Sequence, residues 1–323
     1  MFKKKRIAML IILAAAVYVG IAYSVWFAMG GLALLVIMLG GLSLLQYARA
    51  HRGFDRLAAL RAKYGLARLV SDARSRLGDA ETFSFVVLGD TRNRKRITAQ
   101  VYKGAAAEQP LMVFHTGDIV RHGTAREFIE NHVALLETIV DPIPMFCVPG
   151  NHERGARRDF AAFRALYGDD KFAFDLGPCR FVGFNNSRGR RVTEADLAFL
   201  ETELAKPGAR HRFVFFHIPP AFFETTFARD ARRRGFKENA NRLHALFVRH
   251  GVTEAFMAHI HGYATTVIDG VRYTLTAGGG APLSGRIDAA GRVHHYVVLH
   301  VTPSGIRREV VFLRGAEWVR AEA

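Results

Sequence analysis

The distribution of hydrophobic and polar positions divides the chain into three parts. Between Ile7 and Ala48 no charged residue or histidine occurs over 42 residues. Residues 51–80 then place apolar side chains at helical spacing among arginines and lysines. From residue 81 onward, short apolar runs alternate with segments of helical periodicity. This pattern predicts a transmembrane anchor over 1–50, a basic amphipathic linker over 51–80 and a soluble domain over 81–323.

The uncharged N-terminal run is longer than one membrane crossing requires. As one straight helix, its 42 residues would rise about 63 Å, roughly twice the hydrocarbon thickness of a bilayer. A break at Met29-Gly30-Gly31 therefore predicts a hairpin of two transmembrane helices, near 7–28 and 32–48. A cleaved signal peptide is disfavoured, because its apolar core extends over only about 7–15 residues.

Positive residues flank both ends of the apolar run, at Lys3 to Arg6 before it and at Arg49, Arg52 and Arg56 after it. The positive-inside rule places both ends of a hairpin on the cytoplasmic side. The sequence thus predicts an integral protein of the inner (plasma) membrane with a cytoplasmic domain. If only one helix crosses the membrane, the domain lies outside instead.

The excess positive charge is concentrated near the predicted anchor. The formal net charge is +16, and residues 1–79 hold 12 Lys and Arg against 3 Asp and Glu. This distribution favours a lipid bilayer over nucleic acid as the partner. The amphipathic segment 51–80 could rest on anionic headgroups or serve as a solvated connector. No feature of the sequence indicates an obligate protein partner.

Short apolar runs and helical segments alternate through the soluble part. Strands are predicted at 83–88, 111–115, 145–148, 179–184, 213–216, 255–257, 273–275, 293–301 and 306–313. Helices are predicted at 96–107, 124–140, 193–204 and 239–249. This alternation is typical of an open α/β sheet, whose site lies at the carboxyl ends of its strands.

Polar residues follow five of the predicted strands. They are Asp90, Asp118, Asn151, His217, and the pair His259 and His261. Gathered at one edge, two carboxylates, one amide and three imidazoles suit one or two divalent ions of the Mn, Fe, Zn or Mg type. Cys147 and Cys179 are too few for a disulfide framework or a thiolate metal site.

These strand ends resemble the motifs of the calcineurin-like metallophosphoesterase family. The matching motifs, in chain order, are Gly89-Asp90-Thr91-Arg92, Gly117-Asp118, Gly150-Asn151-His152-Glu153, His217 and His259-Ile260-His261. The resemblance covers about residues 83–313 and implies a four-layer αββα sandwich with two metal ions. It also implies a hydrolase, phosphatase or phosphodiesterase, in which the ions clamp a phosphate and activate a water for in-line attack.

The resemblance implies a role for each matched residue. Asp118 would bridge the two ions. Asp90 and His261 would hold the first ion, and Asn151, His217 and His259 the second. His152 would be catalytic, because it would lie close to the leaving-group oxygen and stabilise the transition state or supply a proton.

Arg92 departs from the family pattern, which has a metal-binding histidine at this position. A guanidinium does not bind metal at neutral pH, but it can grip a phosphate oxygen. Arg92 is therefore predicted to act in catalysis and substrate binding, and the first ion to be weaker or to borrow a ligand such as His122. A single-metal or inactive protein remains an alternative.

The substrate is less well defined by the sequence. A basic stretch after His217 includes Arg233, a predicted substrate-binding residue, although this stretch could equally be a solvated loop. With the predicted anchor, it suggests a lipid-linked or nucleotide-linked phosphate. Two other functions stay open: a membrane-tethered nucleic-acid phosphodiesterase, and a non-catalytic scaffold that has lost its first metal.

Overall fold

The computed structural model describes residues 2–223, 234–315 and 317–322; for residues 2–8 and 43–51 it describes only the helical backbone. The chain divides into two compact units, Met1–Arg52 and Gly53–Ala323. The boundary lies within the first helix, so residues 53–80 of the predicted linker are part of the second unit.

The N-terminal helix α1 runs without interruption from Phe2 to Tyr64. This corrects the predicted hairpin, since Gly30 and Gly31 lie inside the helix rather than in a turn. A glycine costs a helix interior about 1 kcal/mol relative to alanine, but unlike proline it keeps both backbone hydrogen-bonding groups. A glycine pair therefore weakens a helix without ending it.

By length and composition, the segment Met9–Leu42 of α1 could cross a membrane. Its 34 residues rise about 51 Å, compared with a hydrocarbon thickness of about 30 Å. The side chains of this segment are exposed, and most of them are large and apolar. One crossing would therefore use only part of the segment, unless the helix is tilted.

Two six-stranded sheets form the second unit. The strands are β1 (Phe83–Leu88), β2 (Met112–His115), β3 (Met145–Cys147), β4 (Phe172–Leu176), β5 (Cys179–Gly183), β6 (His211–Phe215), β7 (Glu254–Met257), β8 (Tyr263–Ile268), β9 (Val271–Thr276), β10 (His294–Thr302), β11 (Gly305–Arg314) and β12 (Glu317–Glu322). The first sheet has the order β12-β11-β10-β1-β2-β3, and the second has the order β4-β5-β6-β7-β9-β8. Parallel pairs join β1 to β2 to β3 and β5 to β6 to β7, so each set of carboxyl ends lies at one edge.

Phenylalanine rings fill the space between the two sheets. Phe85 of β1 lies 5.4 Å from Phe181 of β5, between ring centroids. Phe114 of β2 stacks on Phe215 of β6 at 4.1 Å. These rings are fully or almost fully buried, and they hold the sheets face to face.

Helices cover the outer faces of the sheets. They are α2 (Leu66–Leu77), α3 (Lys95–Ala107), α4 (Ala125–Glu127), α5 (Ala161–Tyr167), α6 (Glu194–Leu204) and α7 (Ala240–Arg249). Apolar residues of α3 join the core of the first sheet, and those of α6 and α7 pack on the outer face of the second. The order helix, sheet, sheet, helix confirms the predicted four-layer αββα architecture.

The apolar face of the segment 53–80 packs on protein. Leu57, Tyr64, Leu69 and Ala73 are buried in the core, and α2 contacts β3 and β4. The same face is therefore not available for a lipid surface. This differs from both sequence-based interpretations of the segment, a surface helix or a solvated connector.

Three strands were not predicted from the sequence, and one predicted helix is only partly α-helical. The missed strands, β4, β8 and β12, all lie at sheet edges. The predicted helix 124–140 begins as α4 and continues as two π-helical segments, Phe128–Val133 and Leu136–Val140.

Candidate metal centre

The strand ends of both sheets meet at one buried cluster. Asp90 and Asp118 follow β1 and β2, and Asn151 begins a 3₁₀ turn, Asn151–Arg154, shortly after β3. From the second sheet, His217 follows β6, and His259 and His261 follow β7. The structure thus brings together all six of the predicted metal-binding residues.

Several of these residues adopt a backbone conformation that is uncommon outside glycine. The φ angles of Asp90, Asp118 and His259 are 59°, 55° and 73°. Left-handed conformations of non-glycine residues cluster at functional sites, where the surrounding structure imposes them. Here they turn each side chain sharply away from its strand and into the cluster.

Glycine is required where the loops approach each other most closely. At Gly150, a Cβ atom would lie 2.2 Å from Oδ1 of Asp118, and at Gly117 it would lie 2.6 Å from the Gly150 nitrogen. Gly117 also has a φ of 99°. The two Gly-containing motifs therefore place the Asp118 carboxylate against the Asn151 turn.

Asp118 is shared by two groups of potential ligands. One consists of Asp118, His217 and His259, the other of Asp90, Asp118 and His261, and within each group the ligand atoms lie within 4.8 Å of one another. All of these residues are buried. Two groups with a common carboxylate are the arrangement that the sequence resemblance implies.

In the first group, His217 has a defined orientation. Its Nδ1 donates to the Thr116 carbonyl at 2.9 Å, so Nε2 faces the cluster. This Nε2 lies 3.3 Å from Oδ1 of Asp118 and 3.3 Å from Oδ1 of Asn151. A backbone carbonyl that holds the far ring nitrogen is the usual support of a metal-binding histidine.

In the second group, Asp90 and His261 face each other. Nε2 of His261 lies 3.2 Å from Oδ1 of Asp90, and its Nδ1 donates to the Pro282 carbonyl at 2.6 Å. The other Asp90 oxygen accepts the His259 backbone N–H at 2.9 Å. Asp90 therefore also positions the loop that carries both histidines.

Three potential ligand atoms of the cluster are buried and form no hydrogen bond among the residues that the structure describes, although two of them, on Asp90 and His261, face each other at 3.2 Å. They are Oδ1 of Asp90, Nδ1 of His259 and Nε2 of His261. Buried polar atoms are rarely left unsatisfied, because the cost is about 1–3 kcal/mol each. The donor set fits a divalent cation of the Mn, Fe or Zn type, which would satisfy them.

The electrostatics of the cluster follow from its burial. Burial opposes the charged forms of Asp118 and His217, but their attraction prevails, raising the pKa of His217 to about 9 and lowering the pKa of Asp118. Burial, followed by the charge of His217, lowers the pKa of His259 well below its usual value. The site therefore combines the ionised carboxylate of Asp118 with the neutral imidazole of His259.

The guanidinium of Arg92 forms an ion pair with the carboxylate of Asp118. Its Nε and Nη2 donate to Oδ2 of Asp118 at 3.0 and 2.7 Å, and its side chain is 19% exposed. Burial opposes the guanidinium charge, but Asp118 and then Asp90 raise the pKa of Arg92 above its usual value. Arg92 thus contributes a permanent positive charge beside the shared carboxylate.

His152 lies at the open side of the cluster. Its Nδ1 donates to the Arg121 carbonyl at 2.6 Å, and its Nε2 lies 3.8 Å from Oδ2 of Asp118. Its backbone N–H donates to Oδ1 of Asp118 at 3.0 Å. With 28% of its side chain exposed, His152 can reach both the cluster and solvent.

Glu153 was part of a quoted motif, but no role was predicted for it. Its carboxylate accepts the backbone N–H groups of Asp118 at 2.8 Å, Val120 at 2.9 Å and Gly150 at 2.7 Å. Burial and the neighbouring Asp118 charge raise the pKa of Glu153 to about 8. Glu153 therefore joins two ligand loops through their backbone N–H groups.

Asn186 is a second positioning residue that the sequence analysis missed. Its Oδ1 accepts the backbone N–H groups of His217 at 3.3 Å and Ile218 at 3.0 Å, and its Nδ2 donates to the Ile218 carbonyl at 2.7 Å. Asn186 follows β5, so the rule that found the ligands, a polar residue just after a strand, applies to it as well.

The remaining predicted residues differ in their placement. Arg233 lies outside the described residues. His122, the suggested substitute ligand, is exposed and has its Nδ1 3.0 Å from Oε1 of Glu127. Arg190 and Arg234 contact each other through a side-chain to carbonyl bond of 2.6 Å, and their charges contribute to lowering the pKa of His259. Both residues therefore lie near enough to the cluster to affect His259 electrostatically.

The αββα sandwich, with acidic, amide and imidazole ligands at its strand ends, defines the class of metallophosphoesterases. The model of the calcineurin-like phosphoesterase family matches residues 83–263. This match covers more than half of the chain, and the chain belongs to this family.

Several relatives resemble parts of the chain. Acid phosphatase type 7 from Mus musculus is 26% identical over 156 residues, covering 42% of this chain and 35% of its own length. The serine/threonine-protein phosphatase CPPED1 from Bos taurus is 29% identical over 161 residues, covering 45% of this chain and 51% of its own length. The chain thus spans about a third to a half of the length of these curated relatives.

A similar fold occurs in a solved structure, that of the purple acid phosphatase PPD1 from yellow lupin (Lupinus luteus) seeds. It aligns with a TM-score of 0.60 at 17% sequence identity, covering 76% of this chain and 53% of the other. At this identity the likeness concerns the fold alone.

Proposed function

We propose that this protein is a membrane-anchored, divalent-metal-dependent phosphoester hydrolase. The observation that carries the proposal is the buried cluster around Asp118, in which three donor atoms have no hydrogen-bond partner among the described residues. Membership of a family of phosphoesterases agrees with this chemistry. Buried carboxylates and imidazoles held at this cost are typical of a metal site rather than of a structural core.

Asp118, Asn151, His217 and His259 would hold a metal ion, and Asp90 and His261 lie where the family holds another. When bound, such an ion polarises a phosphoryl oxygen and activates a water. The chain itself orients the ligands through the bonds of His217 to Thr116 and of His261 to Pro282.

His152 and Arg92 would act on the substrate directly. Nδ1 of His152 donates to a carbonyl oxygen and so carries a proton, which leaves Nε2 to exchange a proton with the leaving-group oxygen. Arg92 would bind a non-bridging phosphate oxygen and stabilise the negative charge that develops there.

For the substrate, we propose a phosphate ester carried on a lipid or a nucleotide. The Arg92 guanidinium beside the cluster supports an anionic substrate, and the anchor would tether the domain near lipid. Dispersed phosphatidic acid or a nucleotide–lipid ester should then be hydrolysed faster than p-nitrophenyl phosphate in the same mixed micelles. Equal rates would contradict a lipid-linked substrate.

We further propose that α1 anchors the protein by a single crossing. Because α1 is continuous, the N-terminus and the domain would lie on opposite sides, and Lys3 to Arg6 would remain in the cytoplasm. This replaces the cytoplasmic domain predicted from a hairpin. Detergent, but not high salt, should release the protein from membranes, and protease added to the outer side should cleave the domain. Protection of the domain would support the cytoplasmic orientation.

The function is tested with the purified full chain in detergent. Hydrolysis of p-nitrophenyl phosphate and bis(p-nitrophenyl) phosphate is measured with Mn²⁺, Mg²⁺ or Zn²⁺ and with a chelator. Activity should require metal, and Asp118→Asn should lower kcat/KM at least about 100-fold, because the shared carboxylate loses its charge.

The matched control is Asp72→Asn, which changes an aspartate on the surface of α2 that pairs with Arg68. This variant should hydrolyse both esters at the wild-type rate. Activity that persists in the chelator, or in Asp118→Asn, would contradict metal-dependent hydrolysis at this site. Cleavage of single-stranded DNA at a higher rate than either ester would favour the nucleic-acid alternative.

A further inference from the structure

The two groups of potential ligands that share Asp118, here called the two halves of the cluster, do not offer the same number of ligands to an ion. Oδ1 of Asp118 faces Nε2 of His217 at 3.3 Å, and the same Nε2 lies 3.3 Å from Oδ1 of Asn151. Nδ1 of His259 is buried and has no hydrogen-bond partner among the described residues. This half therefore offers two oxygen and two nitrogen donors from four residues, a sufficient set for one divalent ion.

The other half offers fewer ligands, and the Arg92 guanidinium already lies on the carboxylate that the two halves share. Oδ2 of Asp118 accepts two N–H groups of Arg92, at 3.0 and 2.7 Å. A guanidinium remains charged at any pH relevant to the protein, so it repels a second cation at this oxygen. The remaining potential ligands here, within the described part of the chain, are Asp90 and His261.

Neither His122 nor Thr91, two neighbouring polar residues, supplies the missing ligand. The ring of His122 lies 3.0 Å from Glu127, and its side chain is exposed rather than directed into the cluster. The hydroxyl of Thr91 donates to the Ile119 carbonyl at 2.8 Å and lies 3.2 Å from His115. The residues present therefore do not fit a first ion of the kind that the family holds.

We propose that this centre binds one divalent ion, held by Asp118, Asn151, His217 and His259, and that the Arg92 guanidinium takes the place of the first ion. The consequence for substrate rests on the proposed function. Arg92 has five N–H groups, two of which bond Asp118, and the others would bind a phosphate oxygen in place of the metal. The positive charge at this position then belongs to the chain and does not depend on metal supply.

The test is a count of bound ions in the purified full chain. The protein is stripped with chelator, incubated with excess Mn²⁺ and freed of unbound metal by gel filtration. Elemental analysis should find one Mn per chain, and electron paramagnetic resonance should show an isolated Mn²⁺ signal. Arg92→His should bind two ions and show the spectrum of a spin-coupled pair. The matched control, Arg92→Lys, keeps the charge and should bind one.

Two further variants keep the test independent of how Arg92→His folds. His261→Ala should still bind one ion, because this residue lies in the half that Arg92 occupies, whereas His217→Ala should lose it. Two coupled ions in the wild type, none in the wild type, or loss of the ion in His261→Ala would overturn the proposal. One ion without hydrolysis of any phosphate ester would instead contradict the proposed function and leave the ion count standing.

Discussion

At the scale of single residues, the site is organised around one buried carboxylate. Asp118 receives N–H groups from the Arg92 side chain and the His152 backbone, and it faces the His217 ring. Its own backbone N–H is held by Glu153. A buried carboxylate is stable only when such partners offset its lost hydration, so each of these residues affects the charge that Asp118 presents to a metal or a phosphate.

The role of His152 can be separated from metal binding. Replacing His152 by Ala removes the imidazole at the open side of the cluster, but it keeps the backbone N–H that holds Asp118. We expect kcat to fall about 100-fold or more, as for loss of a general acid or base. The Mn content should stay at the wild-type value, because His152 is not among the proposed ligands.

This prediction is checked by steady-state hydrolysis of bis(p-nitrophenyl) phosphate together with elemental analysis of the same samples. The matched control is His122→Ala, which removes an exposed imidazole that pairs with Glu127 near the site. It should leave both quantities unchanged. A His152→Ala protein with normal turnover would show that the leaving group needs no proton from this residue.

At the scale of elements, the burial pattern of a strand decided whether the strand could be recognised in the sequence. The central strands β2, β5 and β7 are buried along their whole length and appear as continuous apolar runs. The missed strands are edge strands: β4 has an exposed position between buried ones, β8 has one buried residue, and β12 is largely exposed. Strands that bury so few residues resemble loops in sequence, whereas β3, an edge strand that is buried throughout, was predicted.

The segment that precedes β1 is an integral part of the domain core, and this leads to a stability prediction. Leu57 is fully buried, whereas Phe54, one turn earlier on α1, is 36% exposed. Leu57→Ala should lower the free energy of unfolding by about 2–5 kcal/mol, because it leaves a cavity in a packed interior. Phe54→Ala, the matched control, should lower it by clearly less.

Urea unfolding of the full chain in detergent, followed by circular dichroism, measures both variants. A chain shortened to 80–323 should be less stable than one shortened to 53–323, since it lacks Leu57, Tyr64, Leu69 and Ala73. Equal stability of the two shortened chains would mean that 53–80 is a linker, as first predicted from the sequence.

At the scale of the whole molecule, burial of ionisable groups connects stability to pH. Burial lowers the pKa of His132 to about 3 and that of His295 to about 4, from 6.5 in the unfolded chain. Below pH 6.5 the unfolded chain therefore binds protons that the folded chain does not. The contribution of these two histidines to the free energy of unfolding is fully present above pH 6.5 and is lost as the pH falls from there towards 4.

We expect the free energy of unfolding to fall by about 1.4 kcal/mol per pH unit for each of these histidines within that window. Glu309 adds to the loss only at lower pH. Burial opposes its charged form, but bonds from His300, Arg320 and Arg307 lower its pKa to about 2 from 4.5.

Urea midpoints at pH 7.5, 6.5 and 5.5 measure the slope of the free energy of unfolding against pH. His132→Gln should reduce it by about 1.4 kcal/mol per unit, and the exposed control His122→Gln should not.

The sequence by itself determined the fold class and the residues of the cluster. Parallel strands of one sheet end at a common edge, and each central strand is recognisable as an apolar run, so polar residues just after such runs are brought together within each sheet. The same reasoning, applied to Asn186 after β5, would have found a residue that holds the His217 loop. The apolar runs indicated an open α/β sheet, and the four-layer αββα sandwich was implied by the family resemblance.

The tertiary structure alone decided what those residues contact. Whether Arg92 faces solvent, phosphate or Asp118 depends on two loops separated by 26 positions in the chain, and the Glu153 carboxylate joins loops 35 positions apart. The continuity of α1 through Gly30 and Gly31, and the burial of Leu57, likewise depend on more than local pattern. Side-chain partners and packing are set by long-range contacts, whose energies no short stretch of sequence contains.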